Sequence, residues 1–312
     1  MRLNKFLIIA FAGIGLMACE SELKQPVEFT VEVEPSAGVV FTDSIYTAPV
    51  GTKLTFNFSG EPDFISFSYA RFIKTRPELS FSTRAAWGTH VANTLSVFVS
   101  EDFKGLAMNN FVADSTSIAT HNWKNISEQA NLPTAANVTR TATIPLDEYS
   151  GKKLVLAFRY KPDFMADWQP TWVISNLNIA NKMITNGTVV STYLAATLGF
   201  SPFDMMSRST AYRDTLLAGN WSTKIPAEIT MNRTAMNNPL NHDWLISKPV
   251  LIPSGITEES PVTGVKTMAN SVESYSHTFT QPGEYTLKFK ASNYNYLYND
   301  SLVHSIRLIV TN

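Results

Sequence analysis

Short runs in which apolar and polar residues alternate dominate the sequence. Four apolar side chains of KLVLAFRY, residues 153–160, share one face: Leu154, Leu156, Phe158 and Tyr160. After one slip, TWVISNLNI, residues 171–179, does the same with Trp172, Ile174, Leu177 and Ile179. Alternation of this kind is typical of half-buried strands. The two runs predict two strands of a β-sandwich that face each other as a hairpin across the loop 161–170.

Further alternating runs lie near the two ends of the chain. They cover residues 27–35, 52–60, 63–69, 274–279, 284–291 and 302–311. The alternation breaks off after Tyr69, and when it resumes, Pro282-Gly283 marks a turn between two runs. We therefore predict one sandwich whose two halves are separated by an insertion.

The end pieces resemble a PKD-type immunoglobulin-like domain. Its first strand is matched by Val50-Gly51, Leu54 and Phe56, and its later strands by Tyr275, His277, Phe279, Pro282, Gly283, Tyr285, Leu287, Phe289 and Asn293. The Asp-Gly turn that follows the third strand in that family is replaced here by residues 68–72, SYARF. The resemblance implies a PKD-like sandwich that is interrupted at this point.

The inserted residues resemble the jelly-roll modules of cleaved adhesins. The matching segments are residues 95–100, 102–103, 123–126, 144–147, 149, 151–152 and 157–160. A strand like DWLISKP, residues 243–249, comes first in those modules but last here, which implies a circular permutation. The predicted fold is all-β: an immunoglobulin-like (PKD-type) sandwich, 27–77 and 255–312, interrupted by an inserted, permuted jelly-roll sandwich, 78–254.

The N-terminus has the pattern of an exported protein. Residues 1–18 combine a basic start with an apolar run too short to span a bilayer, which predicts a signal peptide. The run ends in Leu16-Met17-Ala18-Cys19, which resembles a bacterial lipobox. This resemblance implies that Cys19 is acylated and that 19–26 form a polar tether. A plain signal peptide and an uncleaved membrane anchor are the alternatives.

Composition limits the partners and the chemistry. The 312 residues carry a net charge of −1 and no basic block, so we expect no nucleic-acid partner. Cys19 is the only cysteine, which excludes disulfides within the chain and CxxC zinc sites. The order of the modules resembles a family of uncharacterised lipoproteins found with outer-membrane glycan-uptake (starch-utilisation-type) systems. That resemblance implies an outer-membrane, cell-surface location.

Catalytic motifs are missing from the sequence. It has no G-x-S-x-G, no HExxH and no glycine-rich phosphate loop, and its five histidines are scattered singly. Glu258 and Glu259 are adjacent in a polar run predicted as a loop, and neighbouring residues of a strand would point to opposite faces. We therefore expect that the protein is not an enzyme and carries no cofactor. Asp163 and Asp167, which flank a loop, are weak candidates for binding calcium.

Two groups of aromatic residues are the candidate ligand-binding residues. The first, in the loop 161–170, is Phe164 and Trp168 with the amide of Gln169, and the second is Tyr294, Tyr296 and Tyr298 between the last two strands. Aromatic rings suit the apolar faces of sugars, and neighbouring amides suit sugar hydroxyls. Trp172 is predicted to lie in the core instead. As an alternative to ligand binding, the three tyrosines would cover a neighbouring domain.

Three classes of function remain open from the sequence. The first is a non-catalytic surface lipoprotein that binds glycan for an outer-membrane uptake complex. The second is an adhesion or spacer protein that binds another protein, and the third is a glycoside-active enzyme. The first accounts for the lipobox-like N-terminus, the β-sandwiches and the loop aromatics together.

Overall fold

The computed structural model describes residues 26–163, 168–206, 221–225, 228–232 and 241–312. The chain divides into two compact units. Unit 1 contains the residues up to Ile73 together with Thr257–Asn312, and unit 2 is Lys74–Ile256. Phe164, Asp167 and Cys19, which the sequence singled out, lie outside the described residues.

Strands make up nearly all of the regular structure, which confirms the all-β prediction. The first five strands are β1 Thr30–Val33, β2 Val40–Thr42, β3 Ile45–Pro49, β4 Lys53–Ser59 and β5 Phe64–Ala86. The next eleven are β6 Leu95–Ser100, β7 Lys124–Asn125, β8 Thr139–Pro145, β9 Lys153–Tyr160, β10 Thr171–Met183, β11 Val189–Leu194, β12 Ser201–Asp204, β13 Trp221–Ile225, β14 Glu228–Met231, β15 Asp243–Ile246 and β16 Val250–Leu251. The last five are β17 Gly255–Glu259, β18 Thr263–Lys266, β19 Ser274–Thr278, β20 Gly283–Tyr294 and β21 Asn299–Thr311. The described residues also form one α-helix, α1 Phe111–Thr120, and two 3-10 turns, Asp147–Tyr149 and Ala195–Thr197.

Unit 1 is a two-layer sandwich built from both ends of the chain. One layer has the order β1-β4-β19. The other follows the order β5-β20-β21-β3-β2, with β21 and β3 parallel and β18 added on β5. Phe56 of β4 and Phe289 of β20 meet in the core with ring centroids 5.0 Å apart. The alternating end segments therefore bury one common hydrophobic face, as their pattern predicted.

Unit 2 has two sheets and a helical layer. In the first sheet, the second half of β5 lies between β8 and β10, and β10 also pairs with β11 and β14. The second sheet has the order β12-β15-β9-β6-β7, with β16 on β9. Its inner face packs on the main core, and its outer face packs under α1 through a second cluster that includes Phe98, Ile118 and Trp244. Strand β9 is therefore buried on both faces.

The two strands at the centre of the sequence pattern are not a hairpin. β9 pairs with β6, β15 and β16, whereas β10 pairs with β5, β11 and β14. They face each other from opposite sheets, and Phe158 of β9 meets Phe81 of β5 edge-on across the core, at 5.7 Å. The predicted hairpin was wrong because alternation reports which face is buried and says nothing about which strand lies alongside.

Two further predictions need correction. The strand that begins at Phe64 does not stop near Tyr69 but continues to Ala86, so the chain passes from unit 1 into unit 2 within one strand. Glu258 and Glu259 lie in β17, not in a loop, and remain exposed there. Glu258 forms an ion pair with Arg71 at 2.7 Å.

Candidate ligand-binding site

Two exposed tryptophans lie at the same end of the β5–β10 strand pair. Ala86 of β5 is paired with Thr171 of β10, so the residues just beyond them come close together. Trp87 follows β5 and is 64% exposed, and Trp168 precedes β10 and is 40% exposed. The other four tryptophans of the chain are buried or half-buried. The loop pattern of the sequence pointed to Trp168, whereas Trp87 was not predicted as a ligand-binding residue.

The loops that carry these tryptophans touch each other. A Cβ placed on Gly88 would lie 2.8 Å from the Pro170 backbone and 3.0 Å from the Trp168 carbonyl oxygen, so only glycine fits there. Gly88 also has a φ of +83°, a conformation that glycine adopts without strain. This close approach fixes the backbone of Trp87 beside that of Trp168. We call the two exposed residues the tryptophan pair.

Trp87 itself has an unusual backbone conformation. Its φ is 67°, in the left-handed region, where a bulky side chain is an outlier. Such a conformation persists only where the surrounding structure enforces it, and residues held in this way cluster at binding and catalytic sites. The outlier therefore draws attention to Trp87 as a functional residue.

Buried hydrogen bonds hold the Trp168 loop in place. The Tyr160 hydroxyl donates to the Pro170 carbonyl at 2.8 Å, and burial raises the pKa of Tyr160 well above its usual range, so the hydroxyl keeps its proton. The Gln169 side chain is only 2% exposed, and its Oε1 accepts from Asn241 Nδ2 at 3.0 Å. Gln169 therefore positions the loop and does not present its amide to solvent.

The core next to the pair is equally well defined. Trp172 is 1% exposed, as its strand pattern predicted, and its Nε1 donates to Thr94 Oγ1 at 3.0 Å. Thr94 in turn donates to the Val91 carbonyl, within the connection from β5 to β6. This chain of contacts links the segment that follows Trp87 to the segment that follows Trp168.

The described polar residues around the tryptophan pair do not form a metal site. No group of three or more His, Cys, Asp or Glu side chains is close enough there to hold an ion. Asp163 is exposed. Burial, together with Lys161 and Arg159, lowers the pKa of His242 to about 4, so this histidine is neutral at pH 7.

The second candidate cluster is in unit 1, at the turn between β20 and β21. Tyr296 is 98% exposed, Tyr294 is exposed with its ring edge-on to Phe64 at 5.8 Å, and Tyr298 is half-buried. The turn is ordered by Asn295, whose Oδ1 accepts from the backbone N–H groups of residues 297 and 298. The two aromatic clusters thus belong to different units.

A serine, a histidine and an aspartate that no sequence motif connects lie together in unit 2. His121 Nε2 is 2.8 Å from Ser100 Oγ and 3.5 Å from Asp102 Oδ1. In a catalytic triad the acid contacts the other ring nitrogen of the histidine. Here Ser100 Oγ also accepts from the backbone N–H groups of Asp102 and Phe103, at 3.2 and 3.0 Å. The serine caps a turn, and the arrangement does not match a nucleophilic triad.

These features define an all-β protein of two compact units, with an exposed tryptophan pair in unit 2. Residues 18–200 match the model of a family described as a domain of unknown function (DUF5017), and the chain belongs to that family. The match includes the tryptophan pair and ends before β12, so it does not include the β20–β21 turn. No curated protein matches the chain, and no solved structure does. Within the described residues, no helix has both the length and the apolar character needed to cross a membrane.

Proposed function

We propose that the protein is a non-catalytic, lipid-anchored cell-surface protein that binds polysaccharide through Trp87 and Trp168. In this proposal it is accessory to an outer-membrane polysaccharide uptake complex. The observation that carries the proposal is the tryptophan pair, two exposed indoles on loops whose backbones touch at Gly88. A lipid on Cys19 would hold such a site at the membrane on which the polymer is taken up.

The chemistry of the pair suits sugar rings. An indole offers a flat apolar face for the C–H face of a pyranose and a polar N–H edge for its hydroxyls. The locked loops reduce the conformational entropy lost on binding, which favours a preformed site. An open surface buries little of the ligand, so we expect dissociation constants in the micromolar to millimolar range, about −4 to −8 kcal/mol.

Glycan binding can be tested with two substitutions in the pair. Trp168→Ala removes one ring, and Trp87→Asn removes the other while placing a residue that tolerates the left-handed backbone observed there. A glycan array on the chain that starts after Cys19 would identify a polysaccharide, and calorimetry would give the affinities. Each substitution should weaken binding about tenfold, because each removes roughly 1.4 kcal/mol of stacking and burial.

A matched control is available in unit 1. Phe41 is an exposed aromatic residue on β2, and Phe41→Ala should leave glycan affinity unchanged. If no glycan binds the wild type at millimolar concentration, the glycan proposal fails and an adhesion or spacer role replaces it. A bound protein partner that is lost on Trp168→Ala would support that second role.

The lipid anchor has its own test. Cys19→Ala should abolish membrane retention, because acyl chains supply about 0.8 kcal/mol per buried CH₂ and Cys19 is the only residue of its type. Cells fed a labelled fatty-acid analogue should incorporate the label into the wild type only. A variant that still carries label and still sediments with membranes would refute the anchor.

A further inference from the structure

The described chain begins beside the turn of the β20–β21 hairpin. The Val27 N–H donates to Asp300 Oδ2 at 2.9 Å, and Asn293 Nδ2 donates to the Pro26 carbonyl at 3.4 Å. Asp300 and Asn293 are a directly opposed pair near the turn that joins the two strands. The N-terminal segment therefore enters unit 1 beside this turn.

Only a short segment separates the proposed lipid on Cys19 from the first described residue, Pro26. Pro26 follows Cys19 by seven residues, which span at most about 25 Å when fully extended. Tyr296 lies three residues beyond Asn293, or about 10 Å along a strand. A membrane that holds a lipid on Cys19 is thus within reach of the hairpin turn.

The exposed surface of the turn is mainly apolar, and its charged neighbours are Asp63, whose carboxylate accepts from the Tyr294 N–H, and the exposed Lys290 opposite Val303. Its exposed apolar side chains are Tyr294, Tyr296, Leu297, Leu302 and Val303. Asp300 is the only charged residue between 293 and 303, and its carboxylate accepts from the backbone N–H groups of Val27 and Ser301. Exposed tyrosine and leucine side chains favour the region between lipid headgroups and acyl chains.

We propose that this turn, residues 294–303, docks into the headgroup region of the membrane that carries the anchor. The inference rests on the proposed lipid at Cys19 and gives unit 1 a second attachment point next to the first. Docking driven by apolar side chains does not require anionic lipid, so it should occur on zwitterionic vesicles and change little with salt. The tyrosines would then face lipid, which separates their role from that of the tryptophan pair.

The sole cysteine allows a test that does not depend on cellular lipidation. The chain starting at Cys19 is coupled through its thiol to maleimide lipids in phosphatidylcholine vesicles, and hydrogen exchange is followed in residues 293–303. The coupled protein should exchange there about tenfold more slowly than the uncoupled protein, whereas the turn at Asp43 and Ser44 should be unchanged. Equal exchange at 293–303 in the two forms would overturn the proposal.

A pair of double variants identifies the side chains responsible. Tyr296→Ser with Leu297→Ser removes the two most exposed apolar groups of the turn, and the protection on coupling should disappear. Val40→Ser with Phe41→Ser removes two exposed apolar groups from β2, which lies beyond β3 at the far end of β21. This control should keep full protection, and a loss in the control that equals the loss in the turn variant would also overturn the proposal.

Two outcomes separate this inference from the proposed function. Because the coupling supplies the anchor chemically, missing protection overturns membrane docking alone, while missing lipid on Cys19 in cells overturns the anchor. If a polysaccharide protects residues 293–303 in solution without vesicles, the turn is a glycan site and membrane docking is wrong.

Discussion

Replacing Trp172 by alanine tests whether the loop and the core of unit 2 are correctly separated. The Trp172 side chain is 1% exposed and is among the largest fully buried side chains of the chain. It packs in the main core of unit 2, which includes Phe158 and Tyr160 of the facing sheet. Its indole N–H also donates to Thr94 Oγ1 at 3.0 Å. The substitution therefore removes both packing and a buried hydrogen bond.

The size of the effect follows from these two losses. Truncating a buried tryptophan to alanine costs about 3–5 kcal/mol, including the cavity that remains. The lost hydrogen bond adds about 1 kcal/mol, so we expect a loss of roughly 4–6 kcal/mol. This is comparable with the total stability of about 5–15 kcal/mol of a natural protein, and Trp172→Ala could leave unit 2 unfolded. Trp172→Phe keeps a ring and should cost less, about 1–3 kcal/mol.

Guanidinium unfolding followed by circular dichroism would measure these changes. A protein of two units need not unfold in one step, so the transition of unit 2 has to be assigned first. Trp168→Ala is the matched control, because Trp168 is 40% exposed and its loss should cost less than about 1 kcal/mol. If Trp168→Ala destabilises the protein as much as Trp172→Ala, the separation of surface from core is wrong.

Two other predictions concern the surroundings of the tryptophan pair. Gly88→Ala should lower the stability by more than about 1 kcal/mol and should also weaken glycan binding, because the alanine Cβ would meet the Pro170 backbone at 2.8 Å. An unchanged glycan affinity, measured by calorimetry on the folded variant, would contradict this prediction. His242, whose pKa is lowered from 6.5 to about 4 chiefly by burial, binds a proton more readily in the unfolded chain, so its contribution to stability is complete above pH 6.5 and is lost as the pH falls towards 4. Between pH 6.5 and 4, the free energy of unfolding should fall less steeply with falling pH for His242→Asn than for the wild type. Identical slopes for the two proteins would refute the lowered pKa of His242.

Much of the fold could be predicted because burial leaves a period-two trace in the sequence. β10 shows this in detail: the sequence indicated a slip between Ile174 and Leu177, and its pairing with β5 shifts register between Ser175 and Asn178. Asn176, within the slip, has a φ of 55°, which asparagine tolerates better than most residues. The shift keeps Ile179 in the core after the irregularity.

The second half of β5 escaped prediction for an equally physical reason. Its alternating burial continues without a break, but Thr75 and Thr83 place hydroxyl groups at buried positions, and Pro77 is a residue that is rare inside strands. Exposed Lys74 and Arg76 add charge to the same stretch, so the apolar signal weakens where the strand continues. The alternation of apolar and polar residues detects a strand only where its buried side chains are apolar. A strand that buries threonine is therefore predicted only in part.

Trp87 marks a different limit of sequence reasoning. The segment AAWGTH, residues 85–90, shows a tryptophan before a glycine just after a strand, and a Trp-Gly pair at a strand end is compatible with a buried corner as well as with an exposed ring. The left-handed backbone at Trp87 and the contact of Gly88 with Pro170 bring together residues some 80 positions apart along the chain. Local propensity opposes the conformation, so the tertiary contact between the two loops must impose it. The contact that makes Trp87 hard to predict also holds its backbone close to the Trp168 loop. The fold therefore brings both tryptophans to one end of the β5–β10 strand pair, whereas the sequence pointed to Trp168 alone.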